Sequence, residues 1–198
     1  MERKINDYSD NELILLFQGG SNLALSSLVN RYKERIFSSV LYLVKDRTLA
    51  EDIFQDTFIK IIETLRTKNY NEEGKFLPWA LRIAHNLCVD HFRKIKRRPA
   101  VVTTDATEVR DVFEILGIGT DDNAEQRMMK EQSYASIHKM LDYLPKEQKE
   151  VVVLRHFGDL SFKEIAEITD CSINTALGRM RYGLMNLRKM VVEYDIAL

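Results

Sequence analysis

The clearest chemical pattern lies between residues 161 and 189, where a short apolar helix pattern precedes a longer basic one. Ser161-x-x-Glu164 has the form of a capping box, which starts a helix by satisfying its unpaired amide donors. The tripeptide that ends at Ser172 predicts a tight turn, and Ser172 is a favourable N-cap for the helix that follows. A short helix, a turn and a longer basic helix have the spacing of a helix-turn-helix. In that motif the first half of the second helix enters the major groove of DNA.

The second helix of this pattern separates an apolar face from a polar one. The apolar face, which we expect to pack, consists of Ile173, Ala176, Met180, Leu184 and Leu187. The opposite face begins beside Ser172 and presents Asn174, Thr175, Leu177, Gly178, Arg179, Arg181 and Tyr182. Asparagine, threonine and arginine side chains can hydrogen-bond to base edges, while Arg179, Arg188 and Lys189 can neutralise phosphates. A helical hairpin with a solvated basic face would share this pattern, so DNA binding is one of two interpretations.

Aromatic and basic residues also interleave along residues 75–97. The members of this stretch that could contact nucleic acid include Lys75, Phe76, Trp79, Arg82, Asn86, Arg93 and Lys94. Bases stack on aromatic rings while the nucleic-acid backbone lies along cations, so such a helix suits single-stranded DNA. Phe76, Trp79 and their apolar neighbours would serve a helix core equally well, and the pattern leaves both interpretations open.

A third pattern, between Leu49 and Phe58, combines a polar face with a buried aromatic face. The polar face carries Glu51, Asp52, Gln55 and Asp56. Most acidic helix faces are simply solvated, and a docking surface for a partner is the alternative.

Enzyme and metal chemistry have little support in the sequence. The chain has no glycine-rich phosphate loop, no G-x-S-x-G and no HExxH motif. His85, Cys88 and His91 share part of a helical face, a spacing that zinc ligands can use, but Cys88 lies in an apolar run typical of a core and a fourth ligand is not apparent. We therefore expect no enzyme activity, no metal site and no cofactor.

The elements that must position these residues are helices. Glycine (8) and proline (3) are scarce in the 198 residues, which disfavours a turn-rich β fold. Two further capping-box patterns, Ser9-x-x-Glu12 and Thr48-x-x-Glu51, each precede an apolar repeat of helical period. The sequence predicts an all-α fold.

An acidic stretch, residues 99–124, interrupts the helical patterning. It holds six acidic residues against the single basic residue Arg110, together with β-branched residues and glycine. The formal net charge of −1 therefore conceals a basic excess before this stretch. We expect a flexible acidic linker that joins two small helical domains, residues 1–98 and 125–198, the second of which contains the helix-turn-helix.

The sequence also favours a cytoplasmic protein. No apolar run approaches the roughly 18 residues needed to span a bilayer, and the N-terminal residues lack the apolar region of a signal peptide. Cys88 and Cys171 are far apart and outside any CxxC motif, so a disulfide framework is not expected.

The order of these patterns resembles the extracytoplasmic-function (ECF) group of the sigma-70 family, bacterial RNA polymerase sigma factors that keep only regions 2 and 4. The resemblance covers about Leu23–Arg98 and Glu125–Lys189. Ala50–Phe58 is similar to region 2.2, although Asp56 stands where the family usually has Glu. Phe76–Lys94 is similar to regions 2.3 and 2.4, and the C-terminal block with its helix-turn-helix is similar to region 4.

This resemblance implies an alternative sigma factor that binds core RNA polymerase and directs transcription initiation at specific promoters. Contact with the β′ clamp helices is implied for Glu51, Asp52, Gln55 and Asp56. Capture of the promoter −10 element as a single strand, with one base flipped out, is implied for Tyr70, Lys75, Trp79, Arg82, Asn86, Arg93 and Lys94. Region 4 would contact the β flap and read the −35 element as duplex through Ser172 and the polar face of the recognition helix.

The resemblance further implies an anti-sigma factor as a partner, often a membrane-anchored one. The rival interpretation is a helix-turn-helix regulator that binds operators without joining polymerase, and it leaves the patterns at residues 51–58 and 76–94 unexplained. Many family members carry a more basic second half of the recognition helix, whereas in this chain Tyr182-Gly183-Leu184 follows Arg181. We expect Gly183 to permit close packing.

Overall fold

The computed structural model describes residues 4–70, 75–97 and 139–193. The predicted linker at residues 99–124, and residues 125–138 after it, lie outside the described part. Every regular element within the described ranges is helical, which confirms the all-α prediction. A 3₁₀ turn at Ile5–Asp7 is followed by α1 (Asp10–Gln18), α2 (Asn22–Val44), α3 (Arg47–Arg66), α4 (Phe76–Arg97), α5 (Lys146–His156), α6 (Phe162–Ile168) and α7 (Ile173–Glu193). Residues 139–142 are also helical.

The chain divides into two compact units. The first holds α1 to α4 together with His156–Leu160, and the second holds α5 up to Arg155, α6 and α7. The domain limits at residues 98 and 125 stay a prediction.

In the first unit α2 is the central helix and contacts α1, α3 and α4. All four helices contribute large side chains that are fully buried: Leu13, Leu28, Ile36, Val40, Ile61, Leu65, Phe76 and Leu81. Phe76 therefore belongs to the core. Of the two interpretations of the α4 pattern, a core and a stacking surface for bases, the first applies to this residue.

A polar network also joins α1 to α2. The Asp10 carboxylate accepts a hydrogen bond from the Tyr32 hydroxyl at 2.5 Å and one from the Arg31 guanidinium at 2.6 Å. Arg31 donates a further bond to the Tyr8 carbonyl at 2.9 Å. Burial of the phenol, followed by its hydrogen bond to Asp10 and the nearby negative charge, raises the pKa of Tyr32 to about 12. The network fixes the start of α1 against the middle of α2.

Two of the three predicted capping boxes form. The Ser9 amide donates to Glu12 Oε2 at 2.7 Å, and the Ser161 amide donates to Glu164 Oε2 at 2.8 Å, while each serine hydroxyl accepts the amide of its glutamate. The third prediction is wrong, because Asp46 caps α3 in place of Thr48.

The cap of α3 lies two residues before the predicted one. The Asp46 side chain accepts the Leu49 amide at 2.9 Å, so α3 already begins at Arg47 and Thr48 lies inside its first turn. An aspartate is as good an N-cap as a threonine, and the earlier one starts the helix.

In the second unit α6 and α7 pack against each other, and α7 also crosses α5. The crossing centres on Gly183, where an added Cβ would lie 3.1 Å from Val152 Cγ2. Asn186 Nδ2, one turn further along α7, donates to Gln148 Oε1 of α5 at 2.9 Å. The expectation that Gly183 permits close packing is confirmed.

The buried face of α7 is rotated from the one predicted. The residues of α7 that are buried are Ala176, Gly183 and Met190, whereas Ile173 and Leu184 are 46% and 39% exposed. The prediction was wrong for Ile173 and Leu184 because a glycine, which carries no apolar side chain, lies at the centre of the true packing line.

Candidate nucleic-acid interface

The recognition helix α7 begins with a serine cap, as expected. The Thr175 amide donates to Ser172 Oγ at 3.0 Å, and the hydroxyls of the two residues lie 2.8 Å apart. The cap stabilises the first turn of α7 without using charged groups. Ser172 is exposed, and its hydroxyl is engaged with the helix start.

The polar face of α7 is open along its first half. Asn174, Thr175 and Arg181 are exposed, and the apolar parts of Leu177 and Tyr182 are presented as well, at 43% and 58% exposure. Gly178 and Arg179 are half-buried. Asn174, Thr175, Leu177, Gly178, Arg181 and Tyr182 therefore share the open side of the helix. Ser172 caps its start, and Arg179 lies at the edge of that side, towards the buried Gly183. Further along, Arg188 and Lys189 are exposed cations suited to phosphate contact.

The turn between α6 and α7 sets the angle of the recognition helix. Asp170 has a left-handed backbone (φ 50°), a conformation that aspartate tolerates better than β-branched residues. The Cys171 amide donates to the Ala166 carbonyl at 3.0 Å, and its sulfur lies 3.3 Å from Thr169 Oγ1. These short-range bonds hold α7 in a fixed direction relative to α6.

Arg155 is a residue whose role the sequence pattern did not reveal. Its guanidinium lies over the Phe162 ring, 5.4 Å from the ring centroid, and both residues belong to the second unit. A cation held on an aromatic face keeps its charge while losing mobility. The pair places a cation beside the start of α6. The two residues are seven positions apart on either side of a turn, so helical periodicity in the sequence does not predict their contact.

Five of the seven predicted single-strand residues lie on α4, and three of these recur at a regular interval. Trp79, Asn86 and Arg93 recur every seven residues, about two helical turns, so they lie on one side of α4. Asn86, Arg93 and Lys94 are exposed, as is Lys75 before the helix, whereas Arg82 is half-buried. Arg93 lies 3.5 Å from Asp90 in an exposed ion pair, which contributes little to stability.

Trp79 is both packed and accessible. Its ring meets Tyr70 edge-on with centroids 4.7 Å apart and meets the buried Phe76 at 5.8 Å, while the residue itself is half-buried. The indole is thus held in place by the core and keeps one part open to solvent. Residues 71–74, which lie between Tyr70 and Lys75 of the predicted single-strand set, are outside the described part.

The α3 surface presents three of its four predicted polymerase contacts openly. Asp52, Gln55 and Asp56 are exposed, whereas Glu51 is half-buried and accepts a hydrogen bond from Arg47 Nε at 3.0 Å. Ile59, which the sequence pattern did not single out, continues the same face at 53% exposure. Its spacing of seven residues from Asp52 is the signal that would have found it.

The candidate zinc residues lie mostly in the core. His85 and Cys88 are buried and His91 is half-buried. Among the residues that the structure describes, no group of three or more histidine, cysteine, aspartate or glutamate side chains could hold a metal ion. In the same ranges, no helix combines the length and the apolar character needed to cross a membrane.

Comparison with known proteins assigns the chain to a family. Residues 28–98 match the family model "Sigma-70 region 2", and residues 134–180 match "Sigma-70, region 4". The RNA polymerase sigma-H factor of Pseudomonas aeruginosa is 27% identical over 171 residues, which is 86% of this chain and 88% of that protein. The ECF RNA polymerase sigma-E factor of Escherichia coli is 28% identical over 172 residues, 87% of this chain and 88% of that protein.

Two solved structures share the fold. CnrH, solved in complex with the cytosolic domain of CnrY, superposes with a TM-score of 0.66 at 20% identity over 94% of this chain and 99% of that one. The sigma factor RpoE of Bartonella quintana, solved in complex with the anti-sigma factor NepR, gives 0.61 at 19% identity over 86% and 96%. With both regions matched in order along one helical chain, the protein belongs to the sigma-70 family, as a member of its ECF group.

Proposed function

We propose that this protein is an alternative sigma factor that acts in the cytoplasm, binds core RNA polymerase and directs transcription initiation at specific promoters. Two surfaces on one chain carry the proposal. One is the open face of the recognition helix α7, whose first half lies in the region 4 match, and the other is the α4 face with half-buried Trp79 and exposed Asn86 and Arg93, which lies in the region 2 match. The protein would work by binding, with no catalytic residue of its own.

In this proposal the second unit reads the −35 element as duplex DNA. The side chains that would contact base edges are those of the open face of α7, with Asn174 and Arg181 as hydrogen-bonding groups. Arg179, Arg188 and Lys189 would neutralise phosphates and fix the register of the helix. The second unit would also contact the β flap of polymerase.

The first unit would capture the −10 element as a single strand. Trp79 offers a rigid stacking surface, Asn86 offers hydrogen bonds to an unstacked base, and Arg93 and Lys94 attract the backbone. Unstacking a base step costs a few kcal/mol, which contacts to the splayed bases can offset without nucleotide hydrolysis.

Docking on polymerase would use the exposed face of α3. Asp52, Gln55 and Asp56 present two carboxylates and an amide to a partner, and the β′ clamp helices are the partner that the region 2 match supports. Glu51, held by Arg47, would stabilise the face more than it contacts the partner.

Sequestration by an anti-sigma factor, either membrane-anchored or free, is part of the proposal. The two structural neighbours were each solved as complexes, one with the cytosolic domain of CnrY and one with the anti-sigma factor NepR. A similar fold over most of the chain supports a partner of this class for the present protein.

Transcription by sigma-free bacterial core polymerase on a randomised-promoter library tests the function. We expect transcripts with defined start sites only when the protein is present, and their upstream sequences identify both promoter elements. Asp56→Lys should weaken core binding about tenfold or more, because it reverses an exposed charge on the docking face. The matched control Glu34→Gln, at an exposed position on α2, should leave core binding unchanged.

One result would favour the rival interpretation, an operator-binding regulator, over a sigma factor. If the protein binds duplex DNA in a sequence-specific manner, ignores core polymerase and supports no initiation, it is an operator-binding regulator. The exposed faces of α3 and α4 would then need another explanation.

A further inference from the structure

The two glycines of α7 stand in opposite environments. At Gly183 an added Cβ would lie 3.1 Å from Val152 Cγ2, closer than carbon atoms normally pack, so a side chain there would press on Val152 at the helix crossing. At Gly178 an added Cβ would have no neighbouring atom within 4 Å. Gly178 also has no left-handed backbone conformation that would favour glycine.

Nothing in the fold of the described chain therefore requires a glycine at position 178. Glycine within a helix is less favourable than alanine, because it loses more backbone freedom on folding. The residue lowers the stability of α7 and gains no packing in return. A group that approaches the open face of α7 from outside the described fold would give the glycine a physical reason.

The surroundings of Gly178 indicate what approaches. Asn174 lies one turn before it and Arg181 and Tyr182 lie one turn after it, on the same open face of α7, and all three are exposed. These side chains can hydrogen-bond to bases or phosphates. Asn174 has a short side chain, so it reaches a base edge only if the helix backbone lies deep in the groove.

We propose that Gly178 is a clearance position, at which the missing side chain lets the backbone of α7 approach the major groove of promoter DNA closely enough for Asn174 to read a base. This inference rests on the proposed function and assigns a determinant of −35 specificity. Longer residues such as Arg181 and Arg188 can reach DNA from a greater distance and do not depend on the clearance. A side chain at position 178 would therefore weaken sequence-specific binding more than general binding to DNA.

The test compares variants as holoenzymes with bacterial core polymerase. The probe is a promoter duplex that the wild-type holoenzyme selects from a library randomised at the −35 element, and the reference is an unrelated duplex of equal length. Gly178→Ala should weaken binding to the selected duplex on the order of tenfold, the effect of one good base contact, and change binding to the reference less than about twofold. Gly178→Leu should weaken it further.

Stability provides the second readout, because a fold role and a clearance role predict opposite signs. In the free chain, Gly178→Ala should raise the unfolding midpoint of the second unit by about 4–8 °C. The control Val192→Ala, at an 84% exposed position in the last turn of α7, also improves helix propensity and should leave DNA binding unchanged. In the background Asn174→Ala, the further loss caused by Gly178→Ala should largely disappear, because the contact it disrupts is already absent.

Three results would overturn the inference. Gly178→Ala could stabilise the chain and keep full affinity for the selected duplex, it could weaken both duplexes equally, or it could destabilise the second unit. If the wild-type holoenzyme selects no sequence and initiates nowhere, the proposed function fails first and the inference fails with it. Selection by the wild type together with unchanged affinity of both Gly178 variants rejects the clearance role alone.

Discussion

The crossing of α5 and α7 at Gly183 predicts a stability change whose sign depends on one neighbour. Gly183→Ala adds a Cβ at 3.1 Å from Val152 Cγ2, whereas carbon atoms pack best at about 3.5–4.0 Å. Val152 is buried and stiff at χ1, so it cannot rotate away freely. Overpacking of this kind costs about 1–3 kcal/mol, and the gain in helix propensity returns about 1 kcal/mol. We expect a net destabilisation of up to about 2 kcal/mol.

Removal of the neighbour should reverse the sign. In the background Val152→Ala the clashing methyl is absent, so Gly183→Ala should stabilise the second unit by about 1 kcal/mol. The two substitutions should therefore couple favourably by about 1–3 kcal/mol in a double-mutant cycle. Gly178→Ala, in open space on the same helix, is the control and should stabilise both backgrounds equally.

Urea denaturation of the four chains, followed by helical circular dichroism and by hydrogen exchange in α5 and α7, measures this cycle. Equal destabilisation by Gly183→Ala in both backgrounds would refute the role of Val152, and Gln148 would not replace it, because its Cβ lies 3.6 Å away, within ordinary packing distance. Stabilisation by Gly183→Ala in the wild-type background would show that α5 and α7 adjust to the added Cβ without loss of stability.

Three further predictions concern the network and the helix ends. Tyr32→Phe removes the hydrogen bond to Asp10 and should cost about 1 kcal/mol below pH 10. The folded pKa of Tyr32 is about 12 and its ordinary value is 10.0. The difference in free energy of unfolding between the wild type and Tyr32→Phe is therefore fully present below pH 10 and is lost as the pH rises from 10 towards 12. Urea titrations of both proteins across this pH range measure the difference, and a difference that is independent of pH would contradict the prediction. Asp46→Ala should lower the free energy of unfolding by about 1 kcal/mol while Thr48→Ala stays within about 0.5 kcal/mol, and the reverse order in denaturation curves would restore the threonine cap. Asp170→Val should destabilise the second unit by about 1–2 kcal/mol and Asp170→Gly should not, since a left-handed backbone penalises a β-branched residue; equal unfolding midpoints would argue against this strain.

The order of helices and the helix-turn-helix could be predicted from the sequence because their signals are local. The Ser9 and Ser161 capping boxes formed as their spacing indicates, since each depends only on residues three positions apart. The cap of α3 was misplaced because two local rules compete: Thr48 has the capping-box glutamate three residues on, whereas Asp46 is the more favourable N-cap residue and begins the helix. The left-handed Lys45 that ends α2 had no glycine to signal it.

Long-range features could not be predicted from periodicity. The bond between Asp10 and Tyr32 joins residues 22 positions apart, and only the packing of α1 on α2 brings them together. The buried line of α7 passes through Gly183, whose role is to leave space, and a search for apolar side chains overlooks it. The surface residues could be predicted more reliably from the sequence, because polar side chains at helical spacing share a helix face regardless of how the core packs.

The edge-on contact of Trp79 with Tyr70 has a spectroscopic consequence. Trp79 is the single tryptophan in the chain, and its indole is fixed by core aromatic rings while part of it faces solvent. A fluorine-substituted tryptophan incorporated into this protein alone would therefore give one NMR resonance, even within an unlabelled polymerase. That resonance would come from the α4 surface and no other part of the chain, so the stacking of a DNA base could be followed in time at a single ring.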